Sequence, residues 1–131
     1  MTDSMKKTEQ NLPTNEDVNQ FLMLRELVTG LYDEMKDLTK KSSKETLNEF
    51  KIKSLNRVLK PLKELLKDQP TAMFLDLLEE DSLPTNSDVV IVLSQYLSAM
   101  KKYEERYFKV APGTYTKRWD TKENPIENKK W

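Results

Sequence analysis

The chain has 131 residues, which is the size of one domain and is enough to bury a hydrophobic core. Lysine and arginine together number 22, as do aspartate and glutamate, so no net charge draws the whole molecule towards nucleic acid or an anionic membrane. The sequence contains no cysteine and no histidine. This excludes disulfides, thiol nucleophiles and the usual zinc sites.

Composition and hydropathy together predict the fold class. Only 37% of the residues are apolar, 34% are charged and two are glycine, a combination typical of long helices with solvent-exposed faces. We predict an all-α fold: an antiparallel helical bundle of three long helices and one short helix over residues 14–109, with flexible or docked tails at 1–13 and 110–131. The first residues are polar and no apolar stretch reaches transmembrane length, so we expect a soluble, cytoplasmic protein without membrane contact.

The first long helix is predicted to start at Thr14 or Asn15, either of which can cap it, and to run to about Lys40. Its apolar residues recur at alternating steps of three and four, the spacing of a seam that packs on another helix: Phe21, Leu24, Val28, Leu31, Met35 and Leu38. Gly30 lies inside this helix at a cost of about 1 kcal/mol relative to alanine. We favour a surface position for this glycine over a close crossing with another helix.

A second helix is predicted after a short turn, where Ser42 and Glu45 match a capping box. Its apolar seam has the same spacing as the first: Ile52, Leu55, Leu59, Leu62 and Leu66. The short turn predicts that the two helices form an antiparallel hairpin. Pro61 removes one backbone donor, but the apolar register continues past it, so we expect one kinked helix rather than two.

Two further helices complete the predicted bundle. A short one covers Thr71 to Glu80, with apolar residues on one side: Met73, Phe74, Leu77 and Leu78. The long one covers Ser87 to Phe108 and is apolar or aromatic over more than half of its circumference, which predicts a position in the middle of the bundle. Ala-Pro-Gly at 111–113 breaks this helix, and the residues after it show no helical or strand period.

A short motif occurs twice in the chain. Leu83 to Val89 repeats Leu12 to Val18 at six of seven positions, and both copies precede a predicted long helix. Each copy combines an apolar residue, a proline, two residues that can cap a helix and an acid in the first turn. Two interpretations remain open: independent use of a favourable helix start, or duplication of a helical unit.

No nucleophile–base pair, phosphate-binding loop or set of metal ligands can be identified, so we predict no enzymatic activity and no cofactor. Two carboxylate pairs have a spacing of three that places each on one helical face: Glu34 with Asp37, and Asp76 with Glu79. Both pairs project away from the apolar sides and so are not expected to converge on a magnesium ion. Three tyrosines of the last helix are interpreted as core residues rather than the lining of a ligand pocket: Tyr96, Tyr103 and Tyr107.

Each helix of the predicted hairpin carries a charged stripe opposite its seam. The stripe on the second helix is basic: Lys53, Arg57, Lys60 and Lys67. The stripe on the first helix is acidic: Glu26, Asp33 and Asp37. Each stripe is either a solvated outer face or a docking surface for a charged partner.

The tail after residue 110 supplies a second group of candidate partner-binding residues. Tryptophan without a helical or strand pattern around it is a common interface anchor, and the candidates are Trp119, Trp131, Tyr115 and Arg118. Lys117-Arg118-Trp119 and Lys129-Lys130-Trp131 combine cations with a stacking ring, as proteins that bind single-stranded nucleic acid do. Packing of these tryptophans on the chain's own bundle is the alternative.

These observations lead to two hypotheses. The first is a non-catalytic protein–protein interaction module: an adaptor, a small assembly subunit or a regulator. The second is a helical protein that binds the phosphate backbone of nucleic acid through the basic face and the tail. Homodimerisation through an uncovered seam is a further interpretation that stays open.

Overall fold

Residues 12–126 are described by a computed structural model. Most of the predicted N-terminal tail, residues 1–11, and the candidate residue Trp131 lie outside the described residues. The described chain folds into three α-helices, a short 3-10 helix and a small antiparallel sheet. The predicted helical character is therefore confirmed, while the all-α bundle of three long helices and one short α-helix is confirmed only in part.

The first helix, α1, is Asn15–Ser42. Thr14 is its cap: the Thr14 hydroxyl accepts a hydrogen bond from the Asp17 amide at 3.0 Å, and the Asp17 carboxylate accepts one from the Thr14 amide at 3.0 Å. The predicted seam faces the core, with four of its residues buried: Phe21, Leu24, Val28 and Met35. No atom would lie within 4 Å of a Cβ added at Gly30, which agrees with a surface position.

The second helix, α2, is Glu49–Leu65, and Pro61 lies inside it without dividing it. The predicted start at Ser42 and Glu45 is wrong, because the cap is Asn48, whose side chain accepts a hydrogen bond from the Lys51 amide at 2.8 Å.

The segment that was predicted to begin α2 pairs instead with the residues that precede the third helix. The Leu47 amide donates to the Pro84 carbonyl at 2.9 Å, and the Asn86 amide donates to the Glu45 carbonyl at 2.8 Å. These hydrogen bonds satisfy backbone groups that a helix would otherwise use, so the segment stays irregular.

A short α-helix over Thr71 to Glu80 is not formed. The observed element is a 3-10 helix, Pro70–Phe74, and the chain is extended at Leu75, with φ −102° and ψ 107°. Leu75 and Leu78 are buried, whereas the predicted apolar side had included Met73 and Phe74, which are exposed. Leu75 and Leu78 thus reach the core from an extended segment rather than from one face of a helix.

The third helix, α3, is Asn86–Tyr107. Thr85 and Asp88 form the same reciprocal cap as Thr14 and Asp17, so the repeated motif starts both helices in the same way. The helix buries the following residues: Asn86, Val89, Leu93, Tyr96, Ala99, Met100, Tyr103 and Tyr107. It packs against α1, the 3-10 helix and the strand that follows it, while α1 packs against both α3 and α2.

The chain after α3 forms a two-stranded antiparallel sheet, β1 at Phe108–Val110 and β2 at Lys117–Trp119. The sequence shows no strand period here, and the two short strands form because the break at 111–113 reverses the chain and lets them pair. Gly113 has a φ of +82°, a left-handed conformation that glycine adopts without strain.

The segment after β2 lies across the start of α1. The Lys122 amide donates to the Pro13 carbonyl at 3.0 Å, and the Glu123 carboxylate accepts the Asn15 amide at 3.0 and 3.2 Å. A carboxylate at a helix N-terminus is favoured by the helix dipole. Among residues 12–126, no helix combines the length and the apolar character that crossing a bilayer requires.

Candidate functional site

The indole ring of Trp119 packs on the chain's own bundle. Its ring centroid lies 5.5 Å from that of Phe21, 5.1 Å from that of Phe108 and 6.4 Å from that of Tyr103. The side chain is half-buried and contacts the hydrophobic core. Of the two alternatives for this tryptophan, the structure shows packing on its own fold.

The guanidinium of Arg118 binds backbone carbonyls of its own C-terminal segment. It donates to the carbonyl oxygens of Trp119 at 3.2 Å, Asn124 at 2.6 Å and Pro125 at 3.2 Å. Tyr115 is fully exposed between the two strands. Within residues 12–126, Tyr115 is thus the tail candidate whose side chain is free to meet a partner.

The basic stripe is exposed as predicted, but two of its four cations form ion pairs with glutamates of the same segment. Lys53 Nζ lies 3.6 Å from a Glu49 carboxylate oxygen, and Lys67 donates to Glu64 at 2.7 Å. The hydrogen bond to Glu64 also raises the pKa of Lys67 above its usual value. The stripe's other two cations, Arg57 and Lys60, form no ion pair within the described part of the chain.

The carboxylate pairs do not assemble a metal site. No group of three or more metal-ligating side chains occurs among residues 12–126. Asp76 lies in the extended segment rather than on a helix, and its main-chain carbonyl accepts a hydrogen bond from the Tyr96 hydroxyl at 2.9 Å.

The tyrosines of α3 are core residues, in agreement with their interpretation from sequence. Burial raises the pKa of Tyr96 to about 12 and also raises the pKa of Tyr103. Tyr103 stacks on Phe21 with ring centroids 4.8 Å apart. The Tyr107 hydroxyl accepts a hydrogen bond from the side-chain amide nitrogen of Gln69, Nε2, at 3.1 Å.

An apolar groove lies between the C-terminal half of α1 and the first turns of α2. Its volume is about 140 Å³, and its apolar lining comes from both helices and the segment between them: Leu31, Met35, Leu38, Leu47, Phe50 and Leu55. Phe50 stands at the edge with 78% of its surface exposed. Sequence reasoning missed Phe50, because it falls outside the α2 seam; the signal was a large aromatic side chain at a polar-face position.

Apolar side chains continue from this groove along α1. Leu27 and Met23 lie one and two turns before Leu31, and they are 47% and 55% exposed. We call the surface formed by these residues the α1–α2 face: Met23, Leu27, Leu31, Leu38 and Phe50. A row of this kind contrasts with the scattered single apolar residues that are normal on a protein surface.

A second exposed apolar site lies on the 3-10 helix. Met73 is 79% exposed, and Phe74 lines a cavity of about 290 Å³ between this helix and α3. The α3 side of the cavity is more polar, with Ser94, Gln95 and Ser98. On α3 the nearest exposed apolar residue is Ile91, one turn before Ser94, and the lining between it and Phe74 is polar, whereas the apolar side chains of the α1–α2 face continue from one helix to the other.

No protein-family model, curated protein or solved structure matches this chain, so its function is inferred from its own residues. The arrangement of the described residues offers apolar and charged surfaces, and these support binding.

Proposed function

We propose that this chain is a non-catalytic, cytoplasmic protein–protein interaction module that binds its partner through the α1–α2 face. The observation that carries the proposal is the row of exposed apolar side chains along α1 that continues into the groove beside Phe50. Apolar surface in contact with water is unfavourable, and a partner that covers it recovers that free energy. An adaptor, a small assembly subunit or a regulator would each use such a surface.

The shape of the face favours a helical partner. The groove between two antiparallel helices accommodates the apolar side of a third helix, whose side chains enter at helical spacing. Phe50 would act as an aromatic anchor at one end of the face, since large aromatic residues contribute strongly to the affinity of an interface. The charged stripes on either side would form the polar rim.

Binding to a phosphate backbone through the basic stripe has less support. Trp119, the stacking ring expected beside the tail cations, is packed on the core, and two of the four stripe lysines and arginines are paired with glutamates. A protein that binds along a phosphate backbone needs several cations that are not already paired within the protein.

The test is site-specific photo-cross-linking in the cells that make the protein. A photoreactive amino acid at Leu27 or Phe50 should give a covalent adduct with another polypeptide. The same amino acid at Met73, which is apolar and as exposed as Phe50 but lies outside the face, is the matched control. Adducts that form at Met73 and not at Leu27 or Phe50 would move the docking site elsewhere and refute the proposal.

A further inference from the structure

The α1–α2 face carries charges of opposite sign along its two outer edges. The acidic residues Glu26 and Asp33 lie on the side of α1 that points away from α2, as their positions on a helix of 3.6 residues per turn require. By the same reasoning, Lys53 and Lys60 lie on the side of α2 that points away from α1. All four side chains are exposed; Lys53 also lies 3.6 Å from Glu49 of its own helix, an exposed pair, and no ion pair among residues 12–126 joins α1 to α2. The apolar residues lie between these edges.

The charged residues of the two helices are also matched in height. The apolar groove is lined by residues 31–38 of α1 and 50–55 of α2, and a polar crevice at the other end is lined by residues 17–20 of α1 and 61–65 of α2. The start of α1 therefore lies beside the end of α2, and the two helices are antiparallel. Asp33 and Lys53 fall within the two stretches that line the groove, and Glu26 and Lys60 each lie seven residues from them towards the crevice, so the members of each pair are at about the same height.

Matched heights matter for a symmetric dimer. A two-fold axis parallel to the helices would preserve the height of every residue and place α1 of one copy over α2 of the other. Asp33 would then meet the partner's Lys53, and Glu26 would meet the partner's Lys60, twice over in the dimer. An axis across the helices would instead place α1 on α1 and oppose acids with acids, which is unfavourable.

We propose that the occupant of the α1–α2 face is a second copy of this chain, related by a two-fold axis parallel to α1 and α2. This inference rests on the function proposed above and names its partner. The two copies form an antiparallel four-helix arrangement in which the apolar residues of the face meet across the axis. Gly30 lies on the same surface of α1, and open space at the position of its missing Cβ leaves room for a close approach.

The first experiment measures self-association of the full chain by sedimentation equilibrium. The wild-type protein should dimerise, and raising the salt concentration should weaken the dimer. The reversals K53E/K60E and E26K/D33K should each raise the dimer dissociation constant by about tenfold or more, since each places like charges together. Circular dichroism checks that both variants stay folded.

The reversals and their combination together distinguish the two orientations of the axis, because an axis across the helices would leave like charges opposed in every variant and would change the dissociation constant in none. For the proposed axis, the variant that carries all four substitutions again opposes acids with bases and should regain the wild-type dissociation constant that each reversal alone weakens. A failure to regain it, with the fold intact, would overturn the proposed orientation. A wild-type chain that stays monomeric, although Phe50 still cross-links to a different protein in cells, would overturn this inference and leave the proposed function standing.

Cross-linking provides an independent test of the axis, because the chain has no cysteine of its own. The variant Asp33→Cys/Lys53→Cys, treated with a short bismaleimide, should give dimers joined between copies. Asp33→Cys alone is the control and should give few. Efficient cross-linking of this single variant would place α1 against α1 and contradict the proposal.

Nucleic acid is the competing occupant that the same variants test. The wild-type chain should stay dimeric at low salt when a labelled single-stranded or duplex oligonucleotide is added. If the oligonucleotide dissociates the dimer and K53E/K60E abolishes its binding, the basic edge serves a phosphate backbone, and the inference fails.

Discussion

The side-chain amide of Asn56 pairs with the main chain of Leu78. Asn56 Nδ2 donates to the Leu78 carbonyl at 2.8 Å, and Asn56 Oδ1 accepts from the Leu78 amide at 3.0 Å. Both residues are buried. The Asn56 side chain thus makes the two hydrogen bonds that a neighbouring β-strand would otherwise make with the main chain of Leu78. The extended segment around Leu78 belongs to no helix or sheet.

Replacement of this amide should be costly. We expect Asn56→Ala to lower the free energy of unfolding by about 2–4 kcal/mol, because it leaves two buried backbone groups unpaired. Urea denaturation followed by circular dichroism measures the change. Asn19→Ala, at an exposed position of α1, is the control and should shift the free energy by no more than about 0.5 kcal/mol. Equal effects of the two substitutions would contradict the role of Asn56.

The Asn56–Leu78 pair joins residues that are distant in the sequence, and contacts of this kind separate the parts of the fold that could be predicted from those that could not. The caps at Thr14 and Thr85 depend on residues three positions away, so the sequence pattern reveals them. Ser42 and Glu45 show a similar pattern, yet the segment after Ser42 bonds to the start of α3, which lies far along the chain. Secondary structure that depends on such distant partners cannot be derived from local spacing.

The candidate site residues also divide into those whose exposure follows from local sequence and those whose position depends on distant contacts. Exposure of Lys53 and Lys60 follows from helical periodicity and was predicted, whereas the packing of Trp119 on Phe21 depends on a chain reversal at Gly113. The exposed position of Phe50 also follows from the α2 seam, since Phe50 lies outside it, but its place beside an apolar groove depends on how α1 and α2 pack.

The two reciprocal caps should contribute equally and independently. Thr14→Ala and Thr85→Ala should each lower the free energy of unfolding by about 1 kcal/mol, because each removes the acceptor of one helix-start amide. The caps share no partner, so the double variant should lose the sum of the two single losses. Thr→Ser at either position retains the hydroxyl and should restore most of the stability. Thermal and urea denaturation of the four proteins would reveal any departure from additivity.

Trp119 should act as a structural residue. We expect Trp119→Ala to lower the free energy of unfolding by about 2–4 kcal/mol, since it removes a large ring packed on Phe21 and Phe108. Tyr115→Ala, which removes a fully exposed ring from the same hairpin, should change stability by less than about 0.5 kcal/mol. A Trp119→Ala protein as stable as the wild type would show that the indole does not support the fold.

Tyr96 should make the stability of the protein sensitive to strongly alkaline pH. Burial raises the pKa of Tyr96 from 10.0 to about 12, so the folded chain keeps a phenol proton that the unfolded chain releases. This contribution is fully present below pH 10 and is lost as the pH rises through 12. Tyr96→Phe cannot ionise at this position, and its free energy of unfolding should fall less steeply than that of the wild type between pH 10 and 12.

The comparison uses urea denaturation at a series of pH values from 8 to 12. At pH 8 the Tyr96→Phe variant should already be less stable by about 1 kcal/mol, because the hydrogen bond to the Asp76 carbonyl is lost. The two curves should then converge as the pH rises, since only the wild type continues to lose the contribution of this phenol. Curves that stay parallel over the whole range would mean that Tyr96 ionises equally readily in the folded and unfolded chains.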